Sequence, residues 1–322
     1  MIKLKNKKGE MTSVQLIGLI VFVVSLGIIL LFLAMYDWGT KKEVCQDSVV
    51  MRSTFNVGPL EGKKYIPLKC STEKICLTDG GKTLNCDLQF GPEAKDNPVT
   101  KIKVKTKKDV LDAFANAYYD CHWMLGEGKL DFMPHTKWQE NYCLICSRIV
   151  FDLDSETEAE IKDISYGSLY QYLQEKETPA GKSYLSYIYP GWGDWTKSID
   201  LFKKLQEEGV GTNDEFKKLT FDEWKIKVNN EKGYAVIAQM SPRGTWGDWI
   251  GSVSIFVGGT VLLASGVGAP LGASLMAGAI GGGVVFWYGY PGGEYTYAAP
   301  TAFPYDLNTL QGLQCSSFET AP

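Results

Sequence analysis

Residues 14–35 read VQLIGLIVFVVSLGIILLFLAM, an uncharged run of 22 residues interrupted only by the polar Gln15 and Ser25. As a helix it extends about 33 Å, enough to cross a hydrocarbon layer roughly 30 Å thick. Lys3, Lys5, Lys7 and Lys8 precede it, so the positive-inside rule predicts a cytoplasmic N-terminus with the bulk of the chain outside. Lys41 and Lys42 on the far side weaken that vote without reversing it. Tyr36 and Trp38 fit an aromatic anchor at the outer boundary. The run is too long for a secretory signal and lacks a small-residue cleavage site, which predicts a retained anchor in the cell membrane.

All eight cysteines follow this run: Cys45, Cys70, Cys76, Cys86, Cys121, Cys143, Cys146 and Cys315. Cysteines confined to one side of an anchor predict an oxidising compartment and a disulfide framework. Cys76 and Cys86 lie close in sequence and are the expected local pair. Cys143 and Cys146 are expected to be oxidised too, to different partners.

A second uncharged stretch, residues 249–293, is rich in glycine and includes Phe286, Trp287 and Tyr288. Pro270 divides it into Ile250–Gly266 and Leu271–Tyr288, which predicts a short helical hairpin entering and leaving the membrane by one face. No Lys or Arg follows Arg243, so nothing holds a far end in the cytoplasm. Ala269, Ala273, Ala277 and Gly281 recur every four residues, a spacing that lets membrane helices approach closely. This predicts a homo-oligomer or membrane-protein partners. Trp246, Trp249 and Trp287 are the expected interfacial residues of the hairpin.

Between these stretches the chain alternates strand and helix signals. Strands are predicted at Lys64–Cys70, Lys74–Thr78, Val99–Lys105, Cys143–Leu153 and Lys225–Met240, with Lys74–Thr78 and Lys82–Leu88 forming a hairpin. Helices are predicted at Lys108–Leu125, with Thr106 as N-cap, at Ser168–Gln174 and at Asp200–Gly209. Residues 152–160 form an acidic loop or the start of a helix. The fold class is therefore an α+β disulfide-stabilised ectodomain with an N-terminal transmembrane helix and a C-terminal Gly/Ala-rich membrane hairpin. The boundaries expected are a cytoplasmic tail over 1–12, an anchor over 13–36, an extracytoplasmic α+β domain over 37–248, the hairpin over 249–288 and an outer tail over 289–322.

Chemistry-bearing motifs are few. The Cys143-Leu144-Ile145-Cys146 stretch can be a redox pair, half of a zinc site completed by Cys121 with His122 or His135, or two separate structural cysteines in a strand. The Gly126-x-Gly128 turn follows a helix and lacks the strand-to-helix setting of a phosphate loop. No GxSxG, HExxH or Walker pattern occurs, and neither does an N-x-S/T sequon. Catalytic, cofactor-binding and metal residues are accordingly not expected, nor is an enzyme. The formal net charge is −4, and the lysines at 101–108 read as the solvent face of an edge strand, so nucleic acid is not an expected partner.

Lys7-Lys8-Gly9-Glu10-Met11-Thr12, followed directly by the apolar run, resembles the class III signal of archaeal pilin-like proteins. The resemblance implies cleavage between Gly9 and Glu10 by a prepilin-type peptidase, leaving the helix on the mature chain. The cysteine and Gly126-Glu127-Gly128-Lys129 segments after such an N-terminus resemble uncharacterised membrane proteins of small-genome archaea. The function expected is a membrane-anchored surface structural or interaction protein in an envelope or pilus-like assembly. The alternatives are a membrane-active protein whose hairpin inserts into a bilayer and an extracytoplasmic thiol-redox or zinc-binding protein.

Overall fold

The uncharged N-terminal run forms α1 (Ser13–Tyr36), whose described apolar side chains, from Ile17 to Ile28, are exposed. The computed structural model describes residues 13–36, 40–57, 60–80, 86–91, 98–133, 142–162, 164–189, 225–228, 232–242, 262–264, 275–280, 283–288, 295–313 and 315–318. Side chains of α1 are described for residues 17–28, a stretch shorter than the ~20 residues a span requires. Among the described residues no helix is long and apolar enough to cross a membrane.

Four residues after α1 the chain starts α2 (Lys41–Thr54), which the sequence reading missed. Its N-terminus is fixed by a capping box: the Thr40 hydroxyl accepts from the Glu43 N–H, and the Thr40 N–H donates to the Glu43 carboxylate. Cys45, Ser48, Val49 and Arg52, spaced by three and four, are its buried face. A small ribbon of β1 (Asn56–Val57) and β2 (Leu60–Glu61) leads into α3 (Gly62–Tyr65). The strand expected over Lys64–Cys70 does not form. Pro67 lacks a ladder donor, and Cys70 is bonded to α2 rather than to a sheet.

The central sheet combines β3 (Glu73–Thr78), β4 (Val99–Lys103), β5 (Tyr142–Asp152), β8 (Tyr234–Pro242), β9 (Leu262–Ala264), β10 (Leu275–Ile280), β11 (Gly283–Tyr288), β12 (Tyr295–Pro304) and β13 (Ser317–Phe318). The order is β4-β3-β5-β8-β12-β11-β10-β9. β4, β3 and β5 run parallel, β8 to β9 continue antiparallel, and β13 pairs in parallel with the start of β5. β4 is an edge strand, as its lysine alternation predicted, with Lys101 and Lys103 exposed. β5 is buried along nearly its whole length, as a strand covered on both faces must be.

One face of the sheet is covered by α2, α5 (Lys107–Met124), α7 (Tyr166–Glu175) and α8 (Tyr184–Ile188), which enclose the main core. The other carries α4 (Cys86–Phe90) and α9 (Leu307–Gly312), with Arg148 between the Phe90 and Tyr305 rings, 5.1 and 4.5 Å from their centroids. α6 (Ser155–Ile161) is capped by Asp154, and β6 (Ile164–Ser165) pairs with β7 (Lys225–Ile226). The expected cap of α5 is present: Thr106 accepts from the Asp109 N–H and donates its own N–H to Asp109.

Three further expectations are corrected. Lys82–Leu88 is not a hairpin partner of β3: Cys86–Phe90 is helical, residues 82–85 lie outside the described residues, and β3 is flanked by β4 and β5. Lys225–Met240 is two strands, β7 and β8, in different sheets. The helical hairpin over 249–288 is replaced by strands wherever that segment is described, with β10 and β11 paired so that Ile280 faces Gly283. β-branched and aromatic residues Val284, Val285, Phe286, Trp287 and Tyr288 favour a pleated strand, and the glycines that seemed to serve helix contact are poor helix formers. The sheet also runs across the boundaries drawn at 248 and 288, since β12 lies between β8 and β11. The helix expected at Asp200–Gly209 lies outside the described residues.

Candidate functional site

All eight cysteines are oxidised, in the pairs Cys45–Cys70, Cys76–Cys86, Cys121–Cys146 and Cys143–Cys315. Cys143 and Cys146 do not bond to each other. Side chains three apart on a strand point to opposite faces, so Cys146 meets α5 through Cys121 while Cys143 meets the C-terminal segment through Cys315. The dithiol reading of this motif gives way to two separate staples. The zinc reading fails on the same ground: Cys121 is bonded to Cys146, and His122 turns its Nδ1 to the Tyr297 hydroxyl at 3.3 Å. His135 lies outside the described residues. Cys76, Cys86 and Asp152 do bring three metal-ligating atoms within 4.8 Å of one another, but two of those are the sulfurs of one disulfide.

Tyr36 is the last residue of α1, and Trp287 stands in β11 opposite Met276 and Ala298. Gly9, Glu10, Trp38, Trp246 and Trp249 lie outside the described residues.

A polar arrangement around Gly126 and Gly128 lies at the C-terminal end of α5. The helix stops at Leu125, and Gly126, Glu127 and Gly128 follow with φ of 66°, 58° and 66°. The two glycines take positive φ freely, so the backbone cost falls on Glu127, which has a Cβ. Two tyrosines of β12 hold the turn. The Tyr295 hydroxyl donates to the Gly128 carbonyl at 3.1 Å, and the Tyr297 ring lies where a side chain on Gly128 would be. The turn places the Glu127 carboxylate to accept from the Tyr187 hydroxyl at 2.9 Å and from Lys129.

Behind it lies His122, 2% exposed, with the Tyr187 ring edge-on to it at 5.2 Å. Burial is the largest influence on this imidazole and lowers its pKa to about 4, the nearby Lys129 charge acting the same way. The Glu127 carboxylate and a hydrogen bond to the Tyr187 backbone pull in the other direction. Burial pushes the Glu127 carboxyl up, but the hydrogen bonds from Lys129 and Tyr187 and the Lys129 charge leave it below its ordinary range. His122 is thus a neutral, enclosed hydrogen-bonding group. Its contacts join α5 to Tyr187 of α8 and to Tyr297 of β12.

Sequence reasoning singled out His122 and the Gly126–Gly128 turn but missed the tyrosines. Three more of them close on an irregularity in β12. Between Ala298 and Thr301 the register with β8 shifts, at a place where Pro300 cannot donate. Tyr118 of α5 accepts from the Ala302 N–H at 2.7 Å, Tyr166 of α7 donates to the Ala302 carbonyl at 2.8 Å, and Tyr189 donates to the Pro300 carbonyl at 2.8 Å. Burial raises the pKa of all three phenols, so they stay protonated. The signal in the sequence is only the tyrosine count of 17, which carries no positions by itself.

No family model, curated protein or solved structure matches this chain.

Proposed function

We propose that this chain is a membrane-anchored structural or interaction protein of the cell surface, working in an envelope or pilus-like assembly. In this reading the N-terminus is cytoplasmic, α1 lies in the bilayer and the disulfide-linked remainder is extracytoplasmic. The observation that carries it is the pairing of a 24-residue uncharged helix with a domain that begins four residues later and has every cysteine oxidised. A helix of that length rises about 36 Å, and exposed apolar side chains such as Phe22 and Val23 need a non-aqueous surrounding. Disulfides form and persist in oxidising compartments, so the four pairs support an outer location for the domain.

The polar groups described at the α5 turn are engaged in bonds between elements, which supports a structural role for this chain. Its partners are the bilayer and, through the uncharged residues 249–293, further copies or other membrane proteins. Among the described residues the terminal strand of that half of the sheet, β9, pairs only with β10.

Alkaline carbonate extraction of membranes, with protease treatment of intact cells, tests the reading. The chain is expected to stay with the membrane pellet and to be cut on its ectodomain from outside. Release by carbonate, or free thiols on the chain taken directly from cells, would overturn it.

A further inference from the structure

Outside α1, the large apolar side chains left exposed among the described residues are Val50, Met51, Phe55, Tyr65, Leu88 and Leu307. Four of these six fall within residues 50–65, on the last turns of α2 and on α3. The two elements touch: the Gly62 N–H donates to the Phe55 carbonyl at 2.6 Å, and Gly62 is buried against the backbone of Met51 and Arg52. Met51 is 50% exposed and Tyr65 64%.

The opposite face of α2 is tied down three times. Cys45 is bonded to Cys70, the Ser48 hydroxyl accepts from the Lys69 N–H at 3.0 Å, and Arg52 donates to the Lys63 carbonyl at 2.9 Å. The apolar tip cannot roll inward without breaking these ties. Lys64 and Lys69 are exposed in the segment that follows α2, while Lys41, Glu43 and Asp47 occupy the exposed side of the first half of α2, away from the tip.

We infer that this tip is a membrane-contacting foot, seated on the outer leaflet of the bilayer that holds α1. The inference rests on the anchor reading above and adds a second contact to it. Residues 37–40 reach at most about 14 Å when extended, and α2 adds about 21 Å, so the tip lies no more than about 35 Å from the end of α1 and within reach of the lipid surface. With α2 lying along that surface, Val50, Met51 and Phe55 reach the acyl boundary, and Tyr65 sits at the headgroups. Lys64 and Lys69 face anionic phosphates, an arrangement seen in interfacial helices. A foot of this kind fixes the tilt of the ectodomain, which a single helix with a short connection does not.

The test reconstitutes the full chain in vesicles of phosphatidylcholine and phosphatidylglycerol that include a lipid with a diazirine in its upper acyl chain. Illumination followed by peptide mapping locates the labelled residues. The foot predicts label in α1 and in residues 50–65, with the second site lost in a Met51→Gln/Phe55→Gln variant that keeps all four disulfides. Label in α1 without label at 50–65 overturns the foot and leaves the anchor standing. No label in α1 overturns both. A foot that crosslinks to a second copy in place of lipid also overturns the proposal and makes that face a protein interface.

Discussion

His122 shows how a single enclosed side chain sets a pH dependence for the whole fold. In the unfolded chain its imidazole takes up a proton below its ordinary value of 6.5, whereas in the folded chain it stays neutral down to about 4. Between those values the unfolded state binds more protons, so stability rises with pH across this window and is lost as the solution is acidified. The full difference is about 3 kcal/mol at 1.36 kcal/mol per pKa unit. A His122→Gln variant keeps an acceptor for the Tyr297 hydroxyl but has nothing to titrate. Denaturant unfolding of both proteins at steps from pH 7 to pH 4 should show their stabilities converging as the pH falls, and parallel curves would remove His122 from the account. Gly128 offers a second residue-scale test. Gly128→Ala must bear the left-handed backbone and also displace the Tyr297 ring, whereas Gly181→Ala, at φ +73° with open space around it, bears the backbone term alone. The backbone term is about 1 kcal/mol, so thermal unfolding should find Gly128→Ala clearly the more damaging.

At the scale of elements, the helices over the main core act as hydrogen-bonding partners for β12 as well as cover for the sheet. Tyr118→Phe leaves the buried Ala302 N–H without its acceptor, and Tyr166→Phe leaves the Ala302 carbonyl without its donor. Each change is expected to destabilise by about 1–3 kcal/mol. Because both hydroxyls hold one residue, the double variant should lose less than the sum of the two, and the Ala302 amide should exchange with solvent faster in Tyr118→Phe. An unchanged exchange rate there would contradict the clasp. The elements that were legible in the sequence are those with local signals. α5 carries Thr106 and Asp109 at capping distance and apolar residues at helical spacing; β3 and β5 carry β-branched runs between turns. β12 was read as a tail because Pro300 breaks its pattern, and the groups that replace the missing ladder bonds lie 111 to 184 residues away. β10 and β11 were read as helices because an uncharged run of small and apolar residues shows neither a period of two nor one of 3.6. α2 was missed because its buried set includes the polar Ser48 and Arg52 while the apolar Val50 and Met51 are exposed, which blurs the helical period.

Across the whole molecule the four disulfides divide into local and long-range ties, and of these only Cys76–Cys86 is legible from spacing. Cys76–Cys86 spans 10 residues, and Cys45–Cys70 and Cys121–Cys146 span 25 each. Cys143–Cys315 spans 172 residues and ties β5, the strand buried on both faces, to the segment carrying β13. Its two ends enclose most of the sheet, including β8 to β12, so it limits the unfolded ensemble far more than a local tie does. By loop-closure entropy, opening it costs about 5 kcal/mol and opening Cys76–Cys86 about 3 kcal/mol. The native contacts point the same way. Cys143 is buried beside Ala235, Ile237, Ala298, Phe303 and Leu313, so losing the bond also frees the C-terminal segment that covers this face. A Cys143→Ser/Cys315→Ser variant is therefore expected to melt at a lower temperature than Cys76→Ser/Cys86→Ser, with β13 and α9 exchanging their amides first. Both variants are compared by calorimetry and hydrogen exchange in the full chain, with the remaining pairs verified by non-reducing peptide mapping. Equal melting temperatures, or a C-terminal segment that stays protected without Cys143–Cys315, would mean that packing around Leu313 and Phe303 holds the end of the chain by itself.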